Sequence, residues 1–143
     1  MISDCRLLIE TMNAEELKER TKQFALRVMH LVDALPRSTK APAIANQIIR
    51  SGTSVAANYR AACRARSRAE FIAKIGVVEE EADETGLWLE LIIADKILPN
   101  KKVLPLLTEA NELVAIMAAS FISARRNPSP KSAIRNQQSA IKS

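Results

Sequence analysis

Four stretches of the chain place apolar side chains three or four positions apart, and prolines or capping residues separate them. This pattern commits most of the chain to amphipathic helices, each obliged to bury one face. In the first stretch, residues 14–35, the stripe is Leu17, Thr21, Phe24, Val28, Leu31 and Leu35. Its period of about 3.5 residues is that of a bundle seam. Pro36 closes it, because the residue before a proline is pushed out of the helical region. After a loop over 36–41, Pro42 fits the first turn of a second helix, where its missing N–H is not needed. That helix is expected to reach residue 65. Its stripe of Ala45, Ile48, Gly52, Val55, Tyr59 and Ala62 is mostly small, which predicts close helix approach, nearest at Gly52. Gly52 and Thr53 also lower helix propensity, so a kink over 51–54 is compatible with the sequence.

Ser67 followed by Glu70 reads as a capping box that opens a third helix over 68–98. Phe71, Ile75, Val78, Ala82, Thr85 or Gly86, Leu89, Ile92 and Ile93 form its stripe, and Pro99-Asn100 stops it. A fourth helix is expected over 102–125, with Pro105 in its first turn and Leu106, Ala110, Leu113, Met117 and Phe121 as its seam. No segment alternates with the period of a strand. The expected fold is all-α, an antiparallel up-down-up-down four-helix bundle over 14–126. Residues 1–13 form a lead-in. Residues 127–143 contain no acid and carry Lys131, Arg135 and Lys142, and are expected to be a basic disordered tail.

Several functional classes lose support at once. The uncharged stretches are short of the ~20 apolar residues that span a bilayer, so no membrane role is expected. No basic region followed by an apolar run marks a secretory signal at the N-terminus. Cys5 and Cys63 are isolated and have no CxxC partner, which points to reduced thiols in the cytoplasm. His30 is the one histidine, so the two Glu-x-x-His motifs of a di-iron bundle cannot be assembled. The acidic run Glu79 to Glu84 therefore reads as a solvated or pairing face, with no metal. There is no P-loop, GxGxxG or GxSxG, and no nucleophile arrangement near His30. The expectation is a protein with no catalytic residues and no cofactor.

The charge layout is more informative. Residues 34–69 hold no acid but carry Arg37, Lys40, Arg50, Arg60, Arg64, Arg66 and Arg68. Residues 70–98 hold eight acids against Lys74 and Lys96. One explanation is pairing between the second and third helices, where exposed pairs contribute only ~0–1 kcal/mol each. The other is a polyanion-binding edge. Arg60, Arg64 and Arg68 are expected to project together, Arg60 and Arg64, four apart, sharing a helix face and Arg50 extending the row, and the arginine fork matches phosphate oxygens. Arg50, Arg60, Arg64, Arg66, Arg68 and Lys74 are the candidate nucleic-acid contacts. Asn58, polar within the small-residue stretch, is a candidate for a cross-bundle network with Glu80, or else simply exposed.

The string from Ile49 to Ile92 carries a family resemblance, through Arg50-Ser51, Ser54-Val55, Ala57-Asn58-Tyr59-Arg60, Arg66-Ser67, Glu70-Phe71 and the run Glu79 to Glu84. It resembles the four-helix-bundle proteins encoded in intervening sequences of bacterial 23S rRNA genes, and the likeness extends more loosely over 15–125. It is similar also to the accessory variability protein of diversity-generating retroelements. The resemblance implies a ring-shaped homopentamer without enzymatic activity. Through the second relative it implies nucleic-acid binding by basic surface and contact with a reverse transcriptase. Where family members commonly carry a glutamate after the asparagine motif, this chain has Ala61, which leaves its second helix more basic. The competing expectation is a protein-interaction scaffold, because Ile72, Val77, Leu87, Trp88 and Leu91 lie off the third helix's main stripe.

Overall fold

The computed structural model describes residues 13–126. The lead-in before Asn13, Cys5 and the basic tail lie outside the described residues. Four helices follow in order: α1 (Ala14–Asp33), α2 (Ala41–Cys63), α3 (Arg68–Ala94) and α4 (Asn100–Arg126). Among the described residues no strand is present.

Each boundary has a local cause. The Asn13 side chain accepts from the Glu16 N–H and caps α1. Ser67 caps α3 by accepting from Glu70 N–H at 3.1 Å. The Glu70 carboxylate reaches back to the N–H of Arg66, not of Ser67, at 3.2 Å. The capping pair is thus reciprocal but shifted by one residue. Helix α3 ends at Ala94, four residues before the expected stop. Lys96 takes a left-handed conformation at φ 56, its N–H donates to Ile93 O, and Ile97 N–H donates to Ile92 O, both at 3.0 Å. These are the two bonds of a Schellman motif. The sequence concealed it because lysine stands where glycine usually does. Pro105 lies inside α4, one turn deeper than expected. Helix α2 runs unbroken through Ser51 to Ser54.

The contacts settle the helix directions. Lys40 pairs with Asp95 while Ser51 meets Thr85, so α2 and α3 run antiparallel. Arg68 bonds to Ala124 while Gly86 faces Leu107 and Ala110, so α3 and α4 do too. Arg20 on α1 meets Glu109 on α4, and the later α1 residues Arg27 and His30 face Lys102 and Leu106 across a cleft. The core contains Phe24, Val28, Ile48, Val55, Ile75, Val78, Leu89, Ile92, Leu113 and Met117, all fully buried. Helix α4 is long and apolar enough to cross a bilayer by length and composition alone, but its Val103, Leu106, Ala110, Leu113, Ile116 and Met117 face the bundle interior.

Gly76 on α3 has nothing within 4 Å of where a Cβ would sit. Alanine there removes only backbone entropy from the unfolded chain and adds helix propensity, so Gly76→Ala is expected to stabilise by about 1 kcal/mol. Chemical denaturation should show the midpoint rising with an unchanged slope.

Tyr59, the lone tyrosine, is 5% exposed. Burial, and then the adjacent Cys63 thiol, push its hydroxyl well above the ordinary value. The unfolded chain therefore releases this proton first. Stability is intact below the ordinary tyrosine range near 10, then falls by roughly 1.4 kcal/mol per pH unit as pH rises beyond it. Tyr59→Phe should remove that alkaline slope, measured by urea midpoints at increasing pH.

Candidate nucleic-acid interface

The arginines of the second helix separate into distinct environments. Arg50 is committed to α3: Nη1 lies 3.1 Å from the Glu81 carboxylate, and Nη2 pairs with Glu84. This is the inter-helix pairing that the opposed charges implied, and it withdraws Arg50 from the expected row. Arg60, one turn before the end of α2, is exposed. Arg64 is the C-cap of α2, its N–H donating to Ala61 O while the next N–H, of Ala65, donates to Ala62 O, and the Arg64 side chain is exposed. Arg66 lies in the turn over 64–67 and is exposed as well. None of these three side chains makes an ion pair within the described residues.

Arg68 departs from its expected place beside Arg60 and Arg64. It is half-buried, and its guanidinium points at the end of α4. Nε donates to Ala124 O at 2.6 Å, and Nη2 donates to Arg125 O. Lys74 is half-buried, without an ion pair among the described residues.

The expected Asn58–Glu80 network does not form. The Asn58 amide donates to Ser54 O at 2.9 Å and Ser54 Oγ at 2.8 Å, one turn back on its own helix. A short polar side chain satisfies itself locally at less entropic cost than by reaching across a seam, and Glu80 is exposed. The buried polar link between α2 and α3 is about two turns earlier on α2: Thr85 donates to Ser51 Oγ at 2.8 Å, and both residues are fully buried.

Two features had no sequence signal. Arg20 forms a forked pair with Glu109, Nε to Oε2 at 2.8 Å and Nη2 to Oε1 at 2.5 Å, and Nη2 also reaches Glu112 at 2.5 Å. The Glu109 hydrogen bond holds the Arg20 guanidinium above its ordinary value. The second feature is the arrival of Arg125 and Arg126, both exposed, at the bundle end that carries the α2–α3 turn. Their dipeptide is plain in the sequence, but nothing there places it near residues 60–66.

That end is cationic. It presents Arg60, Arg64, Arg66, Arg125 and Arg126, against the exposed acids Glu70 in the same turn region and Glu15, Glu16 and Glu19 at the start of α1, of which Glu15 pairs with Lys18. Part of the positive charge answers the helices themselves, since the C-termini of α2 and α4 are the negative ends of their dipoles. The remainder can hold phosphate oxygens by arginine forks. At the opposite end, α1 and α4 diverge around a cleft of about 290 Å³, lined by Arg27, His30, Leu98, Lys102 and Leu106 among others. His30 is exposed at its rim. Among the described residues, no group of histidine, cysteine or carboxylate side chains is gathered as for a metal ion. The apolar side chains off the α3 stripe divide. Leu87 and Leu91 are 50% and 45% exposed, while Ile72, Val77 and Trp88 are half-buried.

Comparison with known proteins agrees with this architecture. No curated protein matches the chain. A crystal structure of a protein of unknown function from the S23 ribosomal protein family, from Bacteroides thetaiotaomicron VPI-5482, superposes with a TM-score of 0.68 at 34% identity, covering 73% of this chain and 96% of that one. The family model of the 23S rRNA-intervening sequence protein matches residues 14–119, the four helices almost entire, and the chain belongs to that family.

Proposed function

We propose that this protein is a non-enzymatic, oligomeric helical bundle that binds structured RNA or DNA through the cationic end of the bundle. The observation that supports this best is the set Arg60, Arg64 and Arg66: three exposed arginines within seven residues, without an ion pair among the described residues. Binding of this kind reads phosphate and shape. Aromatic residues make up 3% of the chain, too few for a base-stacking platform. By family likeness, the oligomer is a ring-shaped homopentamer and the protein acts in the cytoplasm, with a reverse transcriptase as a candidate partner.

The test is fluorescence anisotropy with a labelled RNA hairpin and a duplex DNA over a salt series. Affinity should fall steeply with salt, because each neutralised phosphate releases counterions. Replacing Arg60, Arg64 and Arg66 together by alanine should lower the log–log slope by about 3, roughly one per contact, and weaken low-salt binding by tenfold or more. Absence of wild-type binding to either probe at low salt refutes the proposal.

The exposed Leu87 and Leu91, with Leu26, Met29, Leu104 and Ile122, favour a second reading as a protein-interaction scaffold. Sedimentation over a concentration series separates the two. An oligomer that ignores nucleic acid supports the scaffold, and a strict monomer removes the assembly that both readings include.

A further inference from the structure

Arg68 fastens the start of α3 to the end of α4. The carbonyls of a helix's last turn lack intrahelical partners, and the Arg68 fork takes two of them, Ala124 O and Arg125 O. Arg125 is held from a second direction, its guanidinium lying over the Phe121 ring at 5.5 Å from the centroid. Phe121 itself is packed against the core. The backbone and the side chain of Arg125 are therefore both constrained, and Arg126 follows it, exposed. Two residues before Arg68 is Arg66, in the same turn as the α2 cap Arg64. One half-buried arginine thus joins two exposed arginine groups that are about sixty positions apart in sequence.

We infer that the nucleic-acid site is composite. Arg60, Arg64 and Arg66 from the α2–α3 turn form one half, and Arg125 and Arg126 from α4 form the other. Arg68 is a positioning residue that sets the second half against the first and does not itself hold phosphate. The inference rests on the nucleic-acid reading of this end of the bundle. It adds contacts from a second element, and it removes Arg68 from the row of contacts that sequence spacing implies. The chemistry favours division of labour. A guanidinium already donating to two carbonyls has fewer N–H groups to offer a phosphate, while the exposed arginines keep theirs.

The test uses full-length protein, with anisotropy against the same RNA hairpin and duplex DNA over a salt series. Arg125→Ala/Arg126→Ala should lower the salt slope by about 2, and Arg60→Ala/Arg64→Ala by about 2 independently. For Arg68, amide hydrogen exchange in the last turn of α4 is measured alongside binding in Arg68→Lys and Arg68→Gln. Lysine keeps the charge but lacks the planar fork. Both variants should raise exchange there several-fold and weaken binding several-fold, with unchanged helical content by circular dichroism. A wild-type slope in Arg125→Ala/Arg126→Ala, with a reduced one in Arg60→Ala/Arg64→Ala, overturns the composite site and leaves the proposed function standing. Full binding by Arg68→Lys with α4 exchange unchanged overturns the positioning role. Failure of wild-type protein to bind either probe removes both the function and this inference.

Discussion

Arg20→Met is expected to destabilise the bundle by about 2–3 kcal/mol, the largest single effect foreseen on folding. Helices α1 and α4 are the least intimately packed of the neighbouring pairs, and Arg20 spans that seam. Its side chain is 15% exposed and that of Glu109 is 14% exposed. Methionine keeps the apolar stem and removes the charge, so Glu109 would remain nearly buried without its forked donor. An uncompensated buried carboxylate costs more than the intact pair contributes, because desolvation is no longer offset. Glu112 is 42% exposed and can turn to water, so its share is small. Adding Glu109→Gln to Arg20→Met should recover about half of the loss, since a neutral amide is cheaper to bury. Urea denaturation of the two single variants and the double variant gives the coupling. If Arg20→Met costs under ~0.5 kcal/mol, the pair behaves as an ordinary exposed salt bridge and the seam is held by apolar contact alone.

The second large effect reverses the usual sign of a helix substitution. Glycine to alanine inside a helix normally stabilises by about 1 kcal/mol, and Gly76→Ala should do so. Gly52→Ala should instead cost up to about 2 kcal/mol net, the balance of that gain against overpacking of ~1–3 kcal/mol. A Cβ at residue 52 would stand 2.9 Å from Val28 Cγ2, 3.0 Å from Cγ1 and 3.1 Å from Cβ. Rotating Val28 cannot relieve this, because its own branch point is part of the clash and its χ1 is stiff in a helix. The helices α1 and α2 must separate, although Val28 is fully buried. Val28→Ala makes room, so the double variant should be more stable than the two single costs predict. Strict additivity of the two substitutions would show that the approach at Gly52 does not limit the packing.

Functionally, the contrast between Arg50 and Arg60 is instructive. Both stand on α2 within one acid-free stretch, and both looked equally available for phosphate. Position along the bundle separates them. Arg50 lies beside the acidic middle of α3 and pairs there with Glu81 and Glu84. Arg60 lies beyond that run, near the start of α3, where Glu70 is the nearest acid in sequence. The acidic run Glu79 to Glu84 thus neutralises the part of α2 it faces and leaves the end of the helix basic.

Helix number, buried stripes and bundle topology were legible in the sequence. Leu17, Thr21, Phe24, Val28 and Leu31 on α1, and Leu106, Ala110, Leu113 and Met117 on α4, are buried as their spacing implies. Periodicity is a local property, and burying one face of each helix leaves few arrangements for four short-looped helices. The ends were less legible, because Lys96 accepts a left-handed conformation that usually announces itself as glycine. The opposed charges of α2 and α3 implied that those helices pair, but which residues meet across helices was not legible. Arg20 and Glu109 are 89 residues apart, and spacing says nothing about which charge meets which once helices pack. The same reason governs the candidate site. Arginine content and its placement on α2 are written in the sequence. Only packing directs Arg50 to α3 and Arg68 to the end of α4, and only packing brings Arg125 and Arg126 to the end where Arg60, Arg64 and Arg66 stand, because a side chain's partner depends on neighbours that the chain meets only in three dimensions.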